Sequence, residues 1–513
     1  MASEALREEP PVVPVGKQQP GMIEGGLDAI VIGANFDGLA AAALLGKAGL
    51  KTVLLAGGDA SSEQGPREFA PGYFCADGDQ LVDALDPELI AALDLYRHGL
   101  AFAARRLETV YYFSDGGALL TDGDLYRLRD AVTAMSEDDA ASFAAFSEAA
   151  LDAARALRPM FEGGDPPALN GALVDRFLHG SVEETLDGLF TDDHLKEMLA
   201  AEAAFRAAAR PSDPYGFLSL IRRWSGEAAG LQGAIAYPEG GSAGVNKAMR
   251  RAAQASRVDF RLAVTAKRVL VEWDSVAGVE TEGGGQIRAP IIVNALSAER
   301  AFAEMIGPSL IDIEFQAALT PPPPAVASAR VHLALDGVPG DERTRGNLAR
   351  RLVYAPSRIE LRRAYAAARA GWPAGEAPPP LIMEAIFPSA FEKALAPEGG
   401  HSASALLHPV PYVPEADANY VAAVERAARA AFDKLAPGAA ERIVAVDVAP
   451  PEPAAPPVLT AWTRARALAG ASGVKGYFFC GPEAQIGRGF IGAAGRRVAQ
   501  AAIRFSRGKA AAA

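Results

Sequence analysis

The chain has 513 residues, half of them apolar, with 50 Lys and Arg against 63 Asp and Glu and a formal net charge of −13. That length implies about two to four domains with a large buried core, and the acidity excludes a general nucleic-acid binder, which needs a basic face to displace counterions. Two cysteines, Cys75 and Cys480, make no disulfide framework and point to a reducing compartment, and the six scattered histidines offer no metal cluster.

Residues 1–26 are rich in Pro, Glu and Gln and lack an apolar segment, so they read as a disordered arm rather than a secretory signal. No apolar run reaches the ~18–20 residues that cross a bilayer, and a cytoplasmic location is expected. The first ordered signal spans residues 27–58. Residues 27–32 are short, β-branched and bounded by glycine, as a buried strand is. The Ala/Leu run 38–46 reads as a helix ending near Gly49, and 51–55 as a second strand. Together they form a βαβ unit with a glycine turn after its first strand.

From about residue 80 to 235 the chain turns Ala/Leu/Asp/Glu-rich with helical periodicity, for instance over 138–157, and predicts a helical cap rather than a sheet. Strand signals return at 258–262, 269–273 and 291–293. Prolines 321–324 interrupt the chain, and the Pro-rich stretch 449–457 precedes a final strand and helix, GYFFCGPEAQIGRGFIGAAGRRVAQAAI. No repeat of solenoid period is present.

The turn Gly33-Ala34-Asn35-Phe36-Asp37-Gly38 lies where a dinucleotide-binding turn would. In such a turn the first glycine permits the bend, the second lets backbone approach a pyrophosphate, and the third lets helix pack on strand. Gly33 and Gly38 fill the first and third roles. A crossover that binds nothing uses the same residues.

Three blocks carry a wider likeness: AIVIGANFDGLAAAALLGKAGLKTVLL near the amino end, residues 237–295 beginning YPEGGSAGVNKAM, and YFFCGPEAQIGRGFIGAAGRRVAQAAI at 477–503. On these blocks, in this order, the chain resembles the phytoene-desaturase-like branch of the FAD-dependent, amine-oxidase-fold oxidoreductases. That branch includes the pyridine nucleotide-disulfide oxidoreductase domain-containing protein 2 group. The resemblance implies an α/β fold: a Rossmann-type FAD-binding domain with a central parallel sheet, assembled from 27–80, 235–300 and 474–508. Segments 81–234 and 301–473 would form a discontinuous α+β substrate domain with a helical insertion. It implies an FAD cofactor, held near Gly33, Asn35, Gly38, Ala266, Gly481, Gly489 and Gly492, and a hydrophobic small-molecule substrate with peripheral membrane contact open. No metal, no nucleic-acid partner, no particular catalytic residue and no oligomeric state is implied.

Departures from the family pattern cluster at the expected cofactor site. Asn35 replaces the middle glycine, where its side chain would take phosphate space. Asp37 puts a carboxylate in the first helical turn, either repelling a diphosphate or merely capping the helix and pointing away. Ala56, followed by Gly57 and Gly58, stands where the family has a ribose-binding Glu, with Asp59 three residues on. Gln485 stands for a family His, Glu483 adds an acid, and Arg488 stands for a glycine near the isoalloxazine, as an anion holder or a surface ion-pair partner. The 457–476 span lacks the family's flavin-approaching GG-x-x-x-H-G segment. His98, His179 and His332 read as structural, and Cys480 as a small buried hydrophobe. Three readings follow: a flavin oxidoreductase with a rearranged, degenerate site, a non-catalytic relative serving as scaffold, partner-binding subunit or lipophilic ligand carrier, and the same fold with another nucleotide.

Overall fold

A computed structural model describes residues 22–57, 66–76, 78–122, 125, 127–165, 172–311, 313–319, 324–337, 346–372, 378–469, 473–486 and 490–512. Its centre is a five-stranded, all-parallel sheet. The strand order is Asp259–Arg261, Thr52–Leu55, Ala29–Ile32, Ile292–Asn294 and Tyr477–Phe479, so all three sequence blocks meet in it. A sheet covered on both faces has no polar side, and strands 29–32 and 52–55 are accordingly buried at every residue.

Alternation along those strands sorts the two faces. Ala29, Val31 and Leu54 pack on helices, while Ile30, Ile32, Val53 and Leu55 pack on a second sheet. The helix Phe36–Lys47 carries four consecutive fully buried alanines, Ala40–Ala43, because it lies between the helices Gly241–Ala255 and Ala493–Ala512. Such a helix is apolar all round, as a helix enclosed on every side must be. The second sheet is Ile23–Glu24, Gln286–Arg288, Ser275–Thr281 and Ala266–Glu272. Its first strand pairs in parallel with Gln286 and Ile287. Residues 22–26 are therefore not part of a disordered arm; the extended backbone there finds ladder partners on an open sheet edge, and Arg261 grips Glu24 through two hydrogen bonds of 2.6 Å.

A larger sheet stands beside this unit, ordered Ile443–Val448, Ala327–Leu335, His401–Val410, Ile382–Ile386, Arg351–Ala355, Thr109–Phe113 and Ala118–Thr121, with Glu452–Pro453 also pairing on 327–328. The last two of the seven come from the stretch expected to be wholly helical. Their buried, β-branched and aromatic TVYYF pairs in parallel with 351–355, and tertiary pairing overrides the helical composition around it. The short strands Phe102–Ala104, Glu227–Ala228 and Leu231–Gln232 also fall in that stretch, whose remaining elements are helices, including Glu137–Phe161, Asp193–Ala204 and Leu218–Ser225. Residues 458–469, in the short span before the last strand, form a helix. Among the described residues no helix is long and apolar enough to cross a membrane.

Candidate functional site

At the carboxyl ends of strands 29–32 and 52–55 lies a cleft of about 810 Å³, within the range of small-molecule and cofactor sites. Its walls come from the glycine turn (Gly33, Ala34, Asn35, Phe36), from Ala56 and Gly57, and from Thr265, Ala266 and Leu296. In open parallel sheets this is where nucleotides bind, with the first helix pointing its amino end at the phosphates.

The turn is shaped for that approach. Gly33 has φ +100°, a backbone that side-chain-bearing residues avoid. Gly38 packs against it so closely that a β-carbon would overlap the Gly33 carbonyl oxygen. Asn35 has an ordinary extended backbone and caps the helix: its Oδ1 accepts from the Gly38 N–H at 3.0 Å, and its Nδ2 donates to the Ala295 carbonyl at 2.6 Å. The amide thus lies across the helix mouth, tied to the next strand's end, and takes one of the N–H groups a phosphate would otherwise reach.

Asp37 points away from the cleft. Its carboxylate accepts from the Gly495 N–H at 2.8 Å and from Gln485 Nε2 at 2.6 Å, joining the first helix to the carboxyl-terminal segment. Of the two readings, capping and repulsion, the geometry takes a third form: Asp37 caps the other helix. Burial, against the pull of the Gly495 N–H and Arg497, raises its pKa to about 7. Since the folded value lies above the unfolded one, ionisation is disfavoured in the fold, and this group removes stability as pH rises from about 4 to about 7. Asp37→Asn, with Gln485 turned so that its unpartnered Oε1 accepts from the new amide, removes that slope. Thermal melts should show the variant about 1–2 kcal/mol more stable at pH 8 and no different at pH 4. A parallel pH dependence in both proteins would refute the assignment.

Of the positions named from sequence, Gly33, Asn35 and Ala266 line the cleft, and Gly38 lies beneath its turn. Gly481 and Gly492 do not line it. A β-carbon on Gly481 would strike the Leu296 carbonyl, and one on Gly492 (φ +83°) would strike Leu89, so both serve close packing. Gly489 and Arg488 lie outside the described residues, as does Asp59. Cys480 is fully buried, and burial pushes its thiol well above the ordinary range. Glu483 accepts from the Ala298 N–H at 3.0 Å rather than facing the cleft. Among the described residues no His/Cys/Asp/Glu cluster suited to a metal is present.

The cleft also holds residues that sequence reasoning missed. Ser242 and Asn246, one turn apart on helix Gly241–Ala255, enter it together with Arg300 and Pro450. Asn246 is only 4% exposed, and its Oδ1 has no hydrogen-bond partner. A buried orphan acceptor costs about 1–3 kcal/mol unless something supplies a donor. The signal available beforehand was the polar pair at i, i+4 on an otherwise small and apolar helix face.

Behind the cleft the loop 78–80 separates it from an interior pocket of about 130 Å³. That pocket is ionic. Arg206 and Arg330 both donate to Asp79 Oδ1, at 2.7 and 2.5 Å, and both meet Glu452 from the Pro-rich stretch. Arg351 bridges Glu202 and Glu384 at 2.5 and 2.6 Å.

No protein-family model matches the chain. It is 25% identical over 443 residues to the pyridine nucleotide-disulfide oxidoreductase domain-containing protein 2 of Rattus norvegicus, covering 76% of this chain and 75% of that one. It is 28% identical over 285 residues to the hydroxyneurosporene desaturase of Rhodobacter capsulatus, covering 51% of this chain and 54% of that one. Among solved structures, an oxidoreductase from Methanosarcina mazei superposes with TM-score 0.61 at 16% identity, over 93% of this chain and all of that one. Cyclohexylamine oxidase from Brevibacterium oxydans superposes with TM-score 0.53 at 14% identity, over 94% of this chain and 99% of that one. In sequence the chain is thus similar to the pyridine nucleotide-disulfide oxidoreductase domain-containing protein 2 group and to a hydroxyneurosporene desaturase, and its fold is that of the amine-oxidase-type oxidoreductases.

Proposed function

We propose that the chain is an FAD-dependent oxidoreductase whose dinucleotide lies along the cleft at the carboxyl ends of strands 29–32 and 52–55. One observation carries the reading: a cleft of cofactor size, opened by the Gly33 turn and a helix amino end, is bordered by Asn246, whose buried Oδ1 has no hydrogen-bond partner. The residues present fit the group. Asp37 is turned aside, so no carboxylate from the first helical turn confronts a diphosphate. Phosphate would meet the Gly33 turn and the helix amino end; Thr265 and Ala266 would border the adenine end, with Arg300 at the rim. The ribose carboxylate of the family is replaced by Ala56, and one helical N–H is already taken by Asn35, so binding leans on shape and on the Ser242–Asn246 face.

Bound flavin would supply the hydride-accepting chemistry that side chains lack; this chain's part is to bind, orient and shield it. The purified protein should show flavin absorption between about 350 and 500 nm after incubation with FAD, bleached by a reducing substrate. Asn246→Leu should raise the melting point of the FAD-free protein, by about 1 kcal/mol of stability, while weakening FAD binding. A protein that retains no flavin colour once free FAD is removed, with Asn246→Leu neutral in both respects, refutes the reading and favours the non-catalytic relative. The second reading draws support from the same Asn35 cap and Ala56. The hydrophobic substrate expected from the resemblance has little support in the interior pocket, whose lining is dominated by ion pairs.

A further inference from the structure

Two loops rim the cleft: 78–80, which lines it through Gly78, and the Pro-rich stretch, which lines it through Pro450. Those residues lie outside every helix and strand, so side chains must hold them. The first loop fixes more than its own place. Its Asp79 carbonyl accepts from the Ser242 N–H at 2.8 Å, and a β-carbon on Gly78 would lie 3.0 Å from the Ser242 hydroxyl. That carbonyl occupies one of the free N–H groups at the start of helix Gly241–Ala255, which brings Ser242 and Asn246 to the cleft. A shift of Asp79 therefore carries one wall of the cleft with it.

Both loops share their anchors. Arg206 and Arg330 donate to Asp79 Oδ1 at 2.7 and 2.5 Å. Arg330 also donates to Glu452 Oε1, from Nη2 at 2.7 Å and from Nε at 3.1 Å, and Arg206 Nη1 reaches Glu452 Oε2 at 3.5 Å. Two cations and two carboxylates close a ring in which charge balances. Arg330 has a rigid base, 6% exposed within the strand Ala327–Leu335. Arg206 follows helix Asp193–Ala204 with φ +62°, a left-handed backbone that a β-carbon disfavours. Its carbonyl accepts from the Ala455 N–H at 2.8 Å, so Arg206 holds the Pro-rich stretch by backbone as well as by side chain. Guanidinium forks that meet carboxylates in this way fix direction as well as adding energy.

We propose that Arg206 and Arg330 are positioning residues of the cleft: through Asp79 and Glu452 they clasp its two rim loops together and set the spacing in which a cofactor is held. Neither arginine is among the described residues lining the cleft, so both act through the loops. The clasp stands on the ion ring alone; its service to a cofactor rests on the flavin reading above.

The test compares the full-length wild type with Asp79→Asn, Glu452→Gln and the double variant, which keep side-chain shape and remove charge. FAD titration by fluorescence quenching, and amide hydrogen exchange without FAD over 78–82, 240–246 and 452–455, are the readouts. Each single substitution should weaken FAD binding about threefold to tenfold, and the double one little more than the stronger single, because both cut one ring. Each should also speed exchange in the loop it does not touch: Asp79→Asn at the Ala454 and Ala455 N–H groups, Glu452→Gln at the Ser242 N–H, with strand 29–32 unchanged as the sign of an intact fold. An ion pair that only braces its own loop leaves the other loop's exchange as it was. Arg330→Lys, a point charge without the fork, should fall between wild type and these variants. Exchange raised only in the substituted loop, or unchanged FAD affinity in protein that binds FAD, overturns the proposal. Cross-loop exchange in protein that takes up no FAD keeps the clasp and refutes the flavin reading, and FAD bound equally by every variant does the reverse.

Discussion

Gly38→Ala should cost about 3 kcal/mol or more, a large loss for the addition of a single methyl group. The added β-carbon would overlap the Gly33 carbonyl oxygen and lie 3.2 Å from the Ala295 β-carbon, both on rigid elements of the parallel sheet. Backbone cannot swing aside as a side chain can. The helix Phe36–Lys47 would have to lift from the sheet, and its fully buried alanines would lose their contacts with the helices on either side. Gly508→Ala provides the control. It sits in the helix Ala493–Ala512 with nothing within 4 Å of its β-carbon position, and there alanine should stabilise by about 0.5–1 kcal/mol. Thermal or denaturant unfolding of the two variants checks the contrast. Equal effects would show that the helix does not pack on the turn as described.

Arg351→Met should cost about 3–5 kcal/mol, because it strands two buried carboxylates. Arg351 is 2% exposed; its Nη1 meets Glu202 at 2.5 Å and its Nε meets Glu384 at 2.6 Å. Burial alone pushes Glu202 up, but Arg351 and Arg223, with the Tyr111 hydroxyl, more than offset it and hold the carboxyl below its ordinary value. In the wild type that depressed value contributes stability above the unfolded pKa, and the contribution fades as pH falls through the folded one. Without Arg351 only burial and weaker partners act on Glu202, so the deficit is largest at neutral pH and shrinks as acid protonates that glutamate. Adding Glu202→Gln and Glu384→Gln to Arg351→Met should restore most of the loss at pH 7. Urea unfolding at pH 5 and pH 8 reads both effects; a deficit independent of pH would mean that lost packing, not stranded charge, dominates.

The parts of the fold visible in sequence were those whose signals are local. Residues 27–55 announced strand, glycine turn, helix and strand because period, punctuation and small-residue packing all agree there, and the helix needed only its ends adjusted to Phe36–Lys47. The strand Thr109–Phe113 was hidden, since one of its partners, Arg351–Ala355, lies more than 200 residues away in a segment of mixed pattern, and Ala118–Thr121 joins the sheet only through Thr109–Phe113. Ile23–Glu24 was hidden for the same reason.

At the site, residue type predicted space better than it predicted direction. Gly33 and Ala266 border the cleft because small residues are needed where backbone must be reached. Asp37 and Asn35 have the chemistry expected of them, yet their orientation is set by Gly495 and by Ala295, far away in the chain. Gly481 and Gly492 show the converse, glycines required by Leu296 and Leu89 rather than by a ligand. Neither the arginine-rich pocket nor the buried Asn246 was legible, because each is assembled by segments that meet only in three dimensions.

Equilibrium titration of the purified protein with FAD, followed by quenching of flavin fluorescence, tests the central claim most directly. Saturation at one FAD per chain is expected with a dissociation constant of about 1 μM or below, weakened about tenfold by Asn246→Leu. Fluorescence that remains unquenched to about 1 mM protein would contradict it.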